Sequence, residues 1–152
     1  MTIKFKTASA LLAFGALLAA CGGGGIGGTG NEPKGDGTLR VSLTDAPACG
    51  YDAVHVTVQK VRVHRSATAA DDDSGWSEVV LNPARRIDLL TLTNGVLEEL
   101  GQTRLPAGNY TQLRLVLSQN GATDPLANAV TPTNGSETAL DTPSAAQSGL
   151  KL

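Results

Sequence analysis

Aromatic residues are scarce. The 152 residues hold two Phe, two Tyr and one Trp, and both Phe (Phe5 and Phe14) fall among the first twenty. From Cys21 onward only Tyr51, Trp76 and Tyr110 remain, fewer than stacking platforms for sugars or bases usually need. Basic residues are not in excess, with 12 Lys and Arg against 14 Asp and Glu, and they form no cluster. Nucleic acid is therefore not an expected partner. Two cysteines, Cys21 and Cys49, do not make a disulfide framework. The chain has no Gly-x-Ser-x-Gly, no His-Glu-x-x-His and no Cys-x-x-Cys. The glycine run at 22–30 lacks the Lys-Ser/Thr end of a phosphate-binding loop. No internal repeat is visible.

What is present begins with targeting. Lys4 and Lys6 make a positive start, and Ala8 to Ala20 is an apolar run of 13 residues. That length suits the ~7–15 of a signal peptide. It is short of the ~20 that cross a bilayer as a helix. Leu18-Ala19-Ala20-Cys21 closes the run. It resembles the bacterial lipobox, in which cleavage falls between Ala20 and Cys21. The resemblance implies that the Cys21 sulfur takes a diacylglycerol and the freed amine an acyl chain. Three chains hold a protein stably where one is marginal. The plainer alternative is an ordinary cleaved signal with Cys21 free to pair. Gly22 stands where Asp retains many Gram-negative lipoproteins in the inner membrane, so the outer membrane is expected.

Removing residues 1–20 leaves 132, enough for one domain with a modest core. Two basic residues leave with the signal and no acidic ones, which moves the net charge from −2 to −4. Seven of the nine residues from Gly22 to Gly30 are Gly, and Asn31 to Gly37 stays polar. This is the composition of a tether. As a coil its 16 residues span ~20–24 Å. The expected organisation is a signal at 1–20, a lipidated Cys and tether at 21–37, and a folded domain at 38–152.

From Thr38 the pattern has period two, with Leu39, Val41 and Leu43 on one face. Asp45-Ala46-Pro47 ends that strand. In Asp52 to Arg65 the apolar set changes phase: Val54, Val56 and Val58 are even, Val61 and Val63 odd. A bulge near Gln59-Lys60 keeps both sets inward. Ser66 to Gly75 reads as a polar loop, Trp76 to Leu81 as a strand stopped by Asn82-Pro83, and Arg86 to Leu92 as another strand. Val96, Leu97 and Leu100 fall at helical spacing. Leu105 to Asn109 turns into a strand with Thr111, Leu113, Leu115 and Leu117 inward. Asn120 to Gly135 reads as loop and Glu137 to Leu140 as a short strand. Leu150-Lys151-Leu152 starts a further alternation. Short strands, frequent turns and little helix predict an all-β, antiparallel β-sandwich, Greek-key or prealbumin-like.

Several stretches together resemble a family of bacterial lipoproteins known as a domain of unknown function, family 4382. They are Val41 to Pro47, Val54 to Val58, Ile87 to Leu90, Leu105 to Thr111 and Ser148 to Leu152. The likeness runs from about Gly37 to Leu152. It implies a glycine-tethered lipoprotein with a β-rich domain, and it carries over no catalytic or binding residue. It also implies further strands beyond Leu152, one bearing a cysteine that would pair with Cys49, so the sandwich is expected to be incomplete at its C-terminus. From the residues alone, Cys49 is either a buried free thiol or lacks its partner in this chain.

Other candidates have bland readings. Asp71-Asp72-Asp73 could offer carboxylates to calcium, but the spacing departs from an EF-hand loop and a solvated loop tip is simpler. His55 and His64 stand nine residues apart on one extended run, ~30 Å at ~3.3 Å each, too far to share a metal. Asp45 sits at the inward parity of Leu43, placed to accept hydrogen bonds from the following turn. Trp76 and Tyr110 read as core or corner residues, Tyr110 in the manner of a tyrosine corner. No cofactor is expected. The bilayer is the expected partner, through acylated Cys21, and the sequence names no protein or glycan. The expectation is a non-catalytic envelope lipoprotein. The alternative is an enzyme or metal-dependent binder completed by later strands.

Overall fold

The computed structural model describes residues 35–152. The signal, Ala20, Cys21 and most of the tether lie outside them. The described chain is an all-β antiparallel sandwich. One sheet pairs β1 (Asp36–Leu43) with β4 (Glu98–Pro106). The other is built on β2 (Tyr51–His64), with β3 (Ser77–Asp88) along one edge. The opposite edge of β2 is shared by β5 (Gln112–Leu117) and β6 (Ala129–Pro132). β7 (Thr138–Ala139) extends β6, and β8 (Leu150–Lys151) extends β5. A single helical turn and a half, α1 (Pro143–Gln147), packs on β5.

β2 organises the sheet because its apolar residues change parity midway. Val58 pairs with Arg85 and Leu117, and Lys60 with Val80 and Val116, so Gln59 is skipped on both sides. The bulge keeps Val56, Val58, Val61 and Val63 in the core, as the phase change predicts, while Val54 of the same set is only partly buried at the far end of β2. They meet Val41 and Leu43 from β1, Leu100 and Leu105 from β4, and Leu113, Leu115 and Leu117 from β5. The two sheets thus share one core. Gly101 marks their close approach: its φ is +133°, and a Cβ there would lie 2.9 Å from Val79 Cγ1.

Several elements differ from the sequence reading. Asn82-Pro83 does not end a strand. β3 runs through it with a cis peptide, leaving residues 81–84 without partners on β2. Residues 89–92 are not strand but a 3-10 turn, because Asp88 Oδ1 accepts from Leu90 N at 3.1 Å. The same oxygen accepts from Val54 N at 3.1 Å and ties the turn to β2. No helix forms at Val96 to Leu100. Val96 and Leu97 are exposed, and Leu100 enters the core from β4. β6 lies within what reads as loop.

Tyr110 is a tyrosine corner. Its hydroxyl donates to the Pro106 carbonyl at 3.1 Å and its ring packs against the core. Tyr110→Phe should cost about 1 kcal/mol, one hydrogen bond, read as a lower urea midpoint at unchanged slope.

Candidate functional site

The outward face of the larger sheet carries a row of charges in register. Glu78 on β3 faces Arg62 on β2, which faces Arg114 on β5, which faces Lys151 on β8. Two adjacent cross-strand arginines repel. Burial, then the Arg62 charge, pushes the Arg114 guanidinium below its ordinary value. The surroundings offset this. Arg114 pairs with Asp71 and donates to the carbonyls of Ala69 at 2.7 Å and Ser148 at 3.0 Å. Arg62 pairs with Glu78 at 3.0 Å and donates to the Asp71 carbonyl at 3.0 Å. Both guanidinium groups lie over Trp76, at 4.4 Å and 4.7 Å from the ring centroid. Gly149, at φ +82°, brings the backbone against Arg114, where a Cβ would lie 3.1 Å from that residue's own Cβ. The loop at 66–76 is therefore strapped across the sheet.

This places most of the candidates. Asp71, Asp72 and Asp73 are exposed at the loop tip, and Asp71 and Asp73 also hold the loop, Asp73 by accepting from Ala70 N at 2.8 Å. Trp76 is not core. It lies on the outer face, and its indole N–H donates to the Ala70 carbonyl at 2.9 Å. His64 contacts the carbonyls of Ser66 and Ser74 and packs against Trp76. His55, near the other end of β2, meets Glu137 at 3.2 Å. The two histidines are not brought together. No group of three or more His, Cys, Asp or Glu suited to a metal occurs among the described residues. Asp45 accepts from Ala46 N at 2.8 Å, the role its parity suggests. Cys49 is exposed, and free among the described residues.

Asn128 has no signal in the sequence. It is fully buried where β5 leaves β2 and β6 takes over. Its Oδ1 accepts from Thr57 N at 3.0 Å and its Nδ2 donates to the Ser118 carbonyl at 2.6 Å. A side chain thus completes the ladder across the gap between two strands.

The open feature is a groove of about 670 Å³ at one end of the sandwich. Leu39 and Leu105 line it from the small sheet, Val63 and Leu113 from the large one, with Tyr110 and Leu152 at its sides. That volume falls within the ~300–1,000 Å³ of small-molecule sites. Gln112 also borders it, but it shares the parity of Arg114, so its side chain lies on the outer face of the sheet, where it is 5% exposed and neither amide atom finds a hydrogen-bond partner among the described residues. An unsatisfied buried polar group costs about 1–3 kcal/mol. The described chain begins at this end: the Gly35 carbonyl accepts from Ala107 N at 2.8 Å, beside Leu105 and Gly108 of the lining.

Fold and groove together define an all-β sandwich module with an open apolar mouth. The chain belongs to the family described as Domain of unknown function (DUF4382), whose profile matches residues 36–152. Comparisons with curated proteins and with solved structures find no match.

Proposed function

We propose that this chain is a lipid-anchored envelope lipoprotein whose sandwich serves as a non-catalytic binding or scaffolding module. The observation that carries the anchor is Leu18-Ala19-Ala20-Cys21 behind a charged start and a 13-residue apolar run. Three chains on Cys21 would hold the protein stably at the bilayer, and Gly22 favours the outer membrane. The module reading draws on how the charged side chains are spent. Asp71, Asp88, Arg114 and Glu137 fasten strands and loops to one another. The groove faces outward beside them.

Cell fractionation with labelled palmitate tests the anchor. The parent should carry label and sediment with membranes. Cys21→Ser should be unlabelled and soluble. Label in both forms would refute the assignment.

A further inference from the structure

We propose that Asn94 is a site of spontaneous modification, where the folded chain converts itself to aspartyl and isoaspartyl forms while its two other Asn-Gly pairs are protected. The sequence holds three such pairs: Asn94-Gly95, Asn120-Gly121 and Asn134-Gly135. Glycine after asparagine leaves the next backbone nitrogen uncrowded, because no Cβ stands beside it. The three pairs are therefore alike in the linear chain. The reaction asks two things of the fold. The amide side chain must be free to swing onto its own backbone, and the following N–H must not be committed to a carbonyl.

The fold withholds both at Asn120. Its Nδ2 donates to the Asn128 and Leu140 carbonyls at 3.0 Å each, and its Oδ1 accepts from Asn128 N at 2.7 Å. Gly121 N donates to the Asp124 carbonyl at 3.1 Å. At Asn134 the nitrogen is held: Gly135 N donates to the Pro132 carbonyl at 2.9 Å, and a Cβ at Gly135 would lie 3.3 Å from Pro132 Cβ. Asn94 meets both conditions. Asn94 and Gly95 are exposed, at φ +59° and +84°, in the tight turn between residues 89–92 and β4. Among the described residues neither the Asn94 side chain nor Gly95 N has a hydrogen-bond partner. A Cβ at Gly95 would meet nothing within 4 Å. The bond that closes the turn, Val96 N to the Thr93 carbonyl, is 3.3 Å. That is beyond the ~2.7–3.2 Å usual for N–H···O.

The chemistry needs only water. Gly95 N gives its proton to hydroxide and bonds to Asn94 Cγ. The Cγ–Nδ2 bond breaks, and Nδ2 leaves as ammonia with a proton from water. Water then opens the five-membered succinimide. Breaking the new N–Cγ bond gives aspartate. Breaking the bond from that nitrogen to the Asn94 carbonyl carbon gives isoaspartate, which adds a carbon to the main chain just ahead of β4. Either product gains a carboxylate.

The test incubates the full-length protein at mildly alkaline pH, folded and, in parallel, in urea. Peptide mapping by mass spectrometry reads deamidation at each Asn. Methylation by an isoaspartate methyltransferase with a labelled methyl donor reads isoaspartate. In the folded protein Asn94 should lead Asn120 and Asn134 by roughly tenfold or more, the factor for a hydrogen bond whose opening costs about 1.4 kcal/mol. In urea the three rates should converge. An Asn94 no faster than the other two in the folded protein would overturn the proposal. So would a lead that persists unchanged in urea, which would assign the selectivity to sequence neighbours and not to the fold.

Discussion

Deleting Gln59 should abolish the fold. Gln59 is the residue that both neighbours of β2 skip. Without it one apolar set on β2 must turn outward. If the change propagates toward the loop, Val61 and Val63, now 1% and 3% exposed, meet water. Arg62 would at the same time turn into the core. At ~1.5–3 kcal/mol for each Val, the two together cost ~3–6 kcal/mol. A domain has only ~5–15 kcal/mol in hand, so the deletion consumes much or all of it before the buried Arg62 is counted. Gln59→Ala keeps the residue count and changes an exposed side chain. It should stay within about 0.5 kcal/mol of the parent. The urea midpoints of the two variants decide the matter. A deletion variant as stable as the parent would show that the bulge is not needed.

Arg114→Ala should cost about 3 kcal/mol, and Asp71→Asn less than about 1 kcal/mol. Both break the same ion pair, but the pair is not where the stability lies. Asp71 is about half exposed, so its charge is screened and recovers water when released. Arg114 is 2% exposed. Its removal leaves the Ala69 and Ser148 carbonyls without their donor, opens a cavity beneath Gly149 and takes one cation from Trp76. Arg114→Lys should recover little, since one ammonium cannot span two carbonyls and lie over a ring as a planar guanidinium does. Equal losses for Arg114→Ala and Asp71→Asn would mean that the ion pair, not the carbonyl contacts, straps the loop.

The sequence shows the bulge because side chains alternate with a strict period of two. A parity change from Val58 to Val61 has few other physical readings. Tyr110 is legible for a similar reason: a turn of Pro, Ala, Gly and Asn followed by Tyr and an alternating strand is a local pattern. The mistaken readings all depend on distant partners. Val96, Leu97 and Leu100 fit a helical period by coincidence. The register shift opposite Val41 and Ser42 moves Leu100 and Leu105, of opposite parity, onto the same inner face.

β5 reads as half-solvated because Gln112 and Arg114 are polar. All six of its residues are buried, since α1 packs on it and the Ala69 and Ser148 carbonyls meet Arg114 from segments far away in sequence. Asn128 is equally hidden: nothing local distinguishes a loop Asn from one that replaces a strand's hydrogen bonds. The groove likewise needs both sheets in place before it exists. The proposed anchor at Cys21 rests on a different kind of signal. Processing reads the linear order of charge, apolar run and small residues, so no fold is needed to see it.

The mass of the N-terminal peptide of the membrane-associated protein tests the central claim most directly. A lipid anchor requires that the mature chain start at Cys21, with the diacylglyceryl thioether and the amide-linked acyl chain present in its mass. A mature chain that starts elsewhere, or a Cys21 with an unmodified thiol, would contradict it.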